Sequence, residues 1–180
     1  MTDSTFKEVI AFANSYEDVF EEMRSLNQAL TFKDAANTFG KYRIDFSEDK
    51  YSALGMKNPE DEHFTNLAKL LSDQCRHSVK IAVFGNKANT VFKDAKEFSG
   101  LIFRQLEDSY SYLTLCNRTS AAFKGLERIE RPDYPEEALR EALLNAVVHR
   151  DYSFSGSIII NVNESSIEFI SLGGVIKWPY

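Results

Sequence analysis

Apolar residues recur at helical spacing near the start of the chain: Val9, Ile10, Phe12, Ala13, Tyr16, Val19, Phe20 and Met23. A period of about 3.6 residues gathers them on one stripe, which predicts a helix over residues 6–30. A second helix is expected over 31–39, with Thr31 as its cap and Gly40 as its stop. A short third helix is expected over 47–54, ended by Gly55. The acidic, proline-containing run Asn58-Pro59-Glu60-Asp61-Glu62 marks an internal boundary. Residues 65–74 then read as helix, with Leu67, Leu70 and Leu71 on one side. Residues 78–84 have the alternation and branched side chains of a buried strand, broken at Gly85-Asn86. A long amphipathic helix is expected over 96–115, along Phe98, Leu101, Ile102, Gln105, Leu106, Ser109 and Tyr112.

Residues 121–129 read as extended and lead into the most distinctive stretch, residues 134–152. Asp133 can cap a helix there, Pro135 suits its first turn, and Glu136 stands three residues after Asp133 as in a capping box. At about 100° per residue, Glu137, Glu141, Asn145 and His149 fall on one face. Most of the remaining circumference is Ala, Leu and Val, a pattern that predicts burial nearly all round. A buried row of carboxylate, amide and imidazole needs water or a ligand to satisfy it. Beyond this helix, residues 157–163 read as a strand, Glu164-Ser165 as a hairpin turn, and residues 166–170 as the returning strand. Gly173-Gly174 follow directly. Leu139, Ala142, Leu143, Ala146 and Val147 are expected to pack on a sheet carrying Ile158, Ile160, Val162, Ile167 and Phe169. An incomplete sheet leaves an open edge strand, so a homo-oligomer, most simply a dimer, or an otherwise covered edge is expected.

Together these elements predict an α+β protein. A helical N-terminal segment (1–58) leads into a mixed helix-strand linker region (59–130), and a partial helix-on-sheet module closes the chain (131–180). With 43% hydrophobic and 27% charged residues in 180, the chain can build a real core. Its net charge of -6 argues against gripping nucleic acid over the whole surface. The three short N-terminal helices raise the possibility of a DNA-reading helix-turn-helix. Lys33, Lys41, Arg43 and Lys50 are, however, offset there by Asp34, Asp45, Glu48 and Asp49, so no basic reading face results. Cys75 and Cys116 are far apart and read as reduced structural thiols. No apolar run has membrane-spanning length, so no membrane partner and a cytoplasmic location are expected. His63 and His77 lack metal-ligand spacing with either cysteine and read as surface or capping residues. His149-Arg150-Asp151 has the look of a kinase catalytic triplet, but the asparagine that pattern requires is replaced by Gly156.

The row Glu141, Asn145, His149 with Arg150 suits a magnesium-nucleotide site. A carboxylate can orient or activate water, an amide oxygen four residues on can ligate Mg2+, and a basic pair one turn further can face phosphate. A hydrogen-bonded polar seam at a subdomain junction satisfies the same spacing. Glu141 and Asn145 in their Ala, Leu and Val setting, then His149-Arg150-Asp151-Tyr152-Ser153, a strand hairpin and Gly173-Gly174, resemble the C-terminal ATPase-like module of RecG-like transcriptional regulators. That module is a divergent relative of the histidine-kinase, gyrase and heat-shock chaperone ATP-binding fold. The resemblance extends to residues 24–32, 64–73, 79–84 and 98–100, and covers most of 24–178.

The resemblance implies Mg-ATP as cofactor. Glu141 would be the water-activating glutamate, and Asn145 the magnesium ligand. His149 and Arg150 would follow as in the family pattern, and Gly173 and Gly174 would be the glycines of the next motif. The family's adenine-reading aspartate falls where this chain has Ser171-Leu172, and its lid and later glycine-rich segment have no counterpart before Tyr180. ATP hydrolysis is therefore not expected of this chain alone. Residues 6–15 resemble a short helix of the family's AlbA-like (Schlafen-type) DNA-binding domain without its glycine-rich strands, which implies a shortened member that meets DNA through missing or partner domains. The expected function is a DNA-associated transcriptional regulator with an incomplete ATP-binding module. The alternatives are a ligand-free structural or oligomerisation fragment, or a nucleotide-dependent switch completed by a partner chain.

Overall fold

The structure, a computed structural model, describes residues 20–85, 90–124 and 127–173. It is an α+β fold in two compact units. The first unit comprises Met1–Ser78, Ser99–Gln105 and Asp151–Gly156; the second comprises Val79–Phe98, Leu106–Arg150 and Ser157–Tyr180.

In the first unit, residues 20–30 are not helical, and the rest of the helix expected over 6–30 lies outside the described residues. Hydrogen bonds explain the difference. The N–H of Ser25 donates to the Phe64 carbonyl (2.8 Å), Asn66 donates to Met23 (2.9 Å) and Leu67 to Glu21 (2.8 Å). Backbone groups committed to a distant segment cannot close helical turns among themselves. The Gln28 side chain reinforces this docking: its Oε1 accepts from Phe64 N (2.8 Å) and its Nε2 donates to Phe64 O (3.0 Å).

Helix α1 (Lys33–Lys41) begins later than expected, and Thr31 does not cap it. Its cap comes from 40 residues away. The Asp73 carboxylate accepts the N–H groups of Lys33 (3.1 Å) and Asp34 (3.0 Å) and the hydroxyl of Thr31 (2.6 Å). A carboxylate here satisfies orphan donors and complements the helix dipole. Gly40 sits inside the helix rather than stopping it; the left-handed turn residue is Arg43, at φ 57°. Only a 3-10 turn (Glu48–Lys50) forms within 47–54, and Gly55 follows at φ 71°, a conformation glycine adopts without strain. Helix α2 (Asn66–Leu70) is half the expected length; Thr65 caps it by accepting from Ala68 N (3.3 Å).

Aromatic rings hold this unit together. Phe39 stacks on Phe46 at 4.5 Å and meets Phe103 edge-on at 5.9 Å, and Phe32 lies 5.3 Å from Tyr51 and 5.4 Å from Phe64. Gln105 ties in the chain from the other side, its Nε2 donating to His77 O (2.8 Å) and Gly100 O (2.6 Å).

The second unit is built on a four-stranded sheet in the order β2 (Phe92–Ser99), β1 (Ser78–Phe84), β5 (Ile158–Val162), β6 (Ile167–Ile170). Strand β1 is Ser78–Phe84, as its alternation predicts. β5 (Ile158–Val162) lies parallel to it with Ile81 opposite Ile160, and β6 (Ile167–Ile170) returns antiparallel with Phe169 opposite Ile160. Residues 96–99, expected to begin a helix, belong instead to β2 (Phe92–Ser99). Gly100 turns the chain at φ 90°, and α3 (Ile102–Cys116) starts beyond it. Lys80 and Glu97 pair across β1 and β2 at 3.6 Å, a strand contact that helical spacing hides. Residues 121–124 and 127–129 fall in two strands, β3 (Thr119–Lys124) and β4 (Glu127–Pro132), that pair antiparallel.

Helix α4 (Glu136–Val148) carries the polar row. Asp133 does not cap it; its N–H donates to Arg118 O (2.8 Å), and Pro135 takes the N-cap position. The helix packs against β6. Leu139, Leu143, Ala146 and Val147 are buried, as are Ile158, Ile160 and Val162, whereas Ala142, Ile167 and Phe169 are half-buried. Both cysteines are free. Among the described residues no helix is long and apolar enough to cross a membrane.

The remote cap gives a direct test. Burial raises the Asp73 pKa, but hydrogen bonds from Thr31 and from the Asp34 and Lys33 amides, with the Lys33 charge, outweigh it and hold the group below its ordinary value. A depressed folded pKa means stability that is present above the unfolded value of about 3.9 and lost as pH falls through the folded one. Asp73→Ala should cost about 1–2 kcal/mol near neutral pH, read from urea unfolding. The gap to the wild type should close at acid pH; a gap unchanged down to about pH 2 would refute the charged cap.

Candidate functional site

Four buried side chains of α4, Leu139, Leu143, Ala146 and Val147, fix which way the helix is rolled. At helical spacing the opposite face then points outward, and there Glu137, Glu141, Asn145 and His149 are all exposed. The expectation of a helix buried nearly all round is thus corrected: the apolar residues form a single packed stripe. Exposure removes the desolvation cost that a buried row would carry. It also leaves the row open to a ligand that brings its own hydration.

The end of this helix is tightly organised. His149 is the C-cap residue, and its N–H donates to Asn145 O (3.1 Å). Arg150, next in sequence, is buried at 4% exposure, so it does not share the open face with the row. Beyond β6 the chain comes back over the helix end. The Ser171 hydroxyl donates to Ala146 O (2.9 Å), capping a carbonyl that the last turn leaves unsatisfied. Gly173 lies so close that a Cβ there would stand 2.6 Å from the His149 carbonyl oxygen. Only glycine fits without moving backbone, which gives this position a packing reason of its own. The structure therefore brings Asn145, His149, Ser171 and Gly173 together at one helix end, with Glu141 one turn back. Gly174 lies outside the described residues.

Among the described residues no three His, Cys, Asp or Glu side chains gather as a metal cluster. What the row offers a cation is the Glu141 carboxylate and the Asn145 amide oxygen a turn apart, with the Glu137 carboxylate one turn further back. His63 Nδ1 lies 3.2 Å from Asp61, and His77 packs edge-on against Tyr152 at 5.1 Å, both local roles.

One polar cluster escapes sequence reasoning because residue 96 reads as helical. The Tyr112 hydroxyl of α3 donates to Asp94 of β2 (2.6 Å), and Lys96 Nζ stands 4.5 Å over the Tyr112 ring. Burial, and then the bond to Asp94, raise the Tyr112 pKa, while the same bond lowers that of Asp94. This ties helix to strand. Asp94 and Lys96 stand two positions apart in β2 and so share one face of the strand, a signal that is legible once the strand is known.

The Gly173 contact has a measurable consequence. Gly173→Ala should destabilise the protein by on the order of 1–3 kcal/mol, since backbone must shift. Ser171→Ala should cost about 1 kcal/mol through its single hydrogen bond. Urea midpoints for Gly173→Ala equal to the wild type would rule out the close approach.

No protein-family model and no curated protein matches this chain. Among solved structures it is similar to the DIP2311 protein from Corynebacterium diphtheriae, with a TM-score of 0.68 and 19% sequence identity over 95% of this chain. At that identity the likeness is one of fold. The chain spans 36% of the length of that protein.

Proposed function

We propose that this chain is the nucleotide-responsive part of a DNA-associated transcriptional regulator of the RecG-like kind, holding Mg-ATP on the open face of α4 without hydrolysing it alone. The observation that carries this reading is the exposed alignment of Glu141, Asn145 and His149 on a helix anchored by its other side. The donor set suits Mg2+, which prefers oxygen ligands and keeps several waters, so two protein oxygens on an open face leave room for phosphate and solvent. Bound Mg2+ would supply charge neutralisation to the phosphates.

Each residue has a role in that reading. Asn145 offers its amide oxygen to the metal, and Glu141 stands where a water would be oriented. His149, at the helix end, faces phosphate. Ser171 occupies the place where the resembling family reads adenine with an aspartate, and its hydroxyl is already engaged with Ala146 O. That engagement leaves adenine without a side-chain reader at this position, so the binding proposed is weak. It equally favours a second reading, in which the helix end is a packed junction of a ligand-free oligomerisation module. In both readings the edge strands β2 and β6 offer the surface through which a second copy pairs.

Calorimetry with Mg-ATP on the full chain separates the two. Millimolar binding, equivalent to about 4 kcal/mol, is expected, and it should disappear in Asn145→Ala and Glu141→Ala. No heat at millimolar nucleotide would sink the nucleotide reading and leave the structural one. A gel shift with generic duplex at low salt tests DNA contact, and no shift would remove DNA from the function of this chain.

A further inference from the structure

Three exposed apolar side chains stand together at one margin of the second unit: Ile159, Ile170 and Leu172. Ile159 of β5 and Ile170 of β6 lie opposite each other in the antiparallel register, so their side chains leave the same face of the sheet. The buried Ile158, Ile160 and Val162 point to the other face. Alternation carries on past the last residue of β6. The Ser171 hydroxyl reaches Ala146 O on the α4 side, and Leu172 is exposed again on the side of Ile170. Single exposed apolar residues are ordinary on a protein surface, but a contiguous group marks a contact.

The group lies at an edge. Among the described residues β6 is the last strand of its sheet, with no strand beyond it. Its backbone phase follows from the turn. Asn163 N donates to Ser166 O (2.8 Å), which makes Asn163 and Ser166 a hydrogen-bonded pair. Antiparallel pairs alternate in kind. Glu168 and Ile170 therefore bond to β5, whereas the N–H and C=O groups of Ile167, Phe169 and Ser171 point away from it. Strand β2, the other edge, is protected. It carries Lys93, Asp94, Lys96 and Glu97, and charged side chains are what keep an edge from pairing. Strand β6 carries one charge, Glu168.

We infer that two copies of this chain join β6 to β6, antiparallel, about a two-fold axis at Ile170. A two-fold normal to the sheet keeps every side chain on its own face, so the register can shift only in ways that preserve the faces. Centring the pair on Glu168 would set two carboxylates directly opposite, which is destabilising. Centring it on Phe169 would set each Ile170 against a glutamate. Centring it on Ile170 sets isoleucine against isoleucine as a non-hydrogen-bonded pair, the closer kind, with Cα atoms about 4.5 Å apart. The outward groups of Phe169 then bond to Ser171 of the second copy, and those of Ser171 to its Phe169. Leu172 meets the stem of the opposite Glu168. Each Ile170 is flanked by its own Ile159 on one side and by its twin on the other, so the exposed group completes itself across the axis. This deepens the pairing of copies proposed above, on which it rests, by naming the edge and the register; it is independent of nucleotide.

Sedimentation of the full chain, without nucleotide, tests the association, and the dimer fraction is expected to rise with concentration by mass action. Ile170→Lys should return the chain to monomer, since two ammonium groups would meet on the axis, while Ile170→Val should keep the dimer. Ile170 is 49% exposed, so neither change burdens the monomer's core. Ile170→Cys should oxidise to a covalent dimer, because a Cα separation of about 4.5 Å lies within disulfide reach. Glu168→Cys, far from its twin in this register, should not. Amide exchange should slow on dimerisation at Phe169 and Ser171 and stay unchanged at Glu168 and Ile170. A chain still monomeric at about 1 mM overturns the proposal and leaves the nucleotide reading standing. A dimer indifferent to Ile170→Lys overturns it while keeping the pairing of copies, through another surface. Cross-linking by Glu168→Cys as readily as by Ile170→Cys overturns the register.

Discussion

The parallel pairing of β1 with β5 is the contact on which the second unit depends. It joins Val79–Val83 to Ile158–Val162 across most of that unit's sequence. Val79, Ile81, Ile158, Ile160 and Val162 form a continuous buried face, each side chain worth about 1.5–3 kcal/mol in removal from water. Parallel strands cannot be joined by a tight turn, so the chain between them must travel. It spends that length on β2, α3, the antiparallel β3–β4 pair and α4. The apolar stripe of α4 then has one place to go, and the polar row of the same helix faces outward as a consequence. The crevice at the strand ends has the same origin: strands that run in one direction finish side by side, and the connections that leave them define its walls.

The first unit is held by a different device. Its helices are short, and a helix of five residues such as α2 has almost no stability of its own. Side chains remote in sequence do the work that local caps and turns do elsewhere. Asp73 caps α1, and the Gln28 amide bonds both backbone groups of Phe64. Around these bonds the rings of Phe32, Phe39, Phe46, Tyr51 and Phe64 pack edge-on and stacked, geometries that add to simple burial.

Helix α4 thus presents two chemically distinct ends. Near its start, Asp133, Tyr134, Arg118 and Glu164 border a space of a few waters. Near its close, an amide and an imidazole stand on an open surface beside a loop pinned by Ser171 and Gly173. The open surface at the close suits a large ligand that keeps its hydration.

Where a signal is local, the residues alone were enough. Alternation located β1 at 78–84, the hairpin turn at Glu164-Ser165 set the β5–β6 return, and period 3.6 placed Glu141, Asn145 and His149 on one face. The buried side chains Leu139, Leu143, Ala146 and Val147 were legible for the same reason. Tertiary structure decided the rest. Residues 20–30 carry a helical pattern yet bond to 64–67, because hydrogen bonds and burial offered by a distant segment outweigh a propensity of tenths of a kcal/mol per residue. Residues 96–99 became strand because β1 presented an edge. Whether the row on α4 is buried or open follows from how much of the helix a neighbouring sheet can cover. Spacing along the chain carries no record of that area, and only the packed fold supplies it.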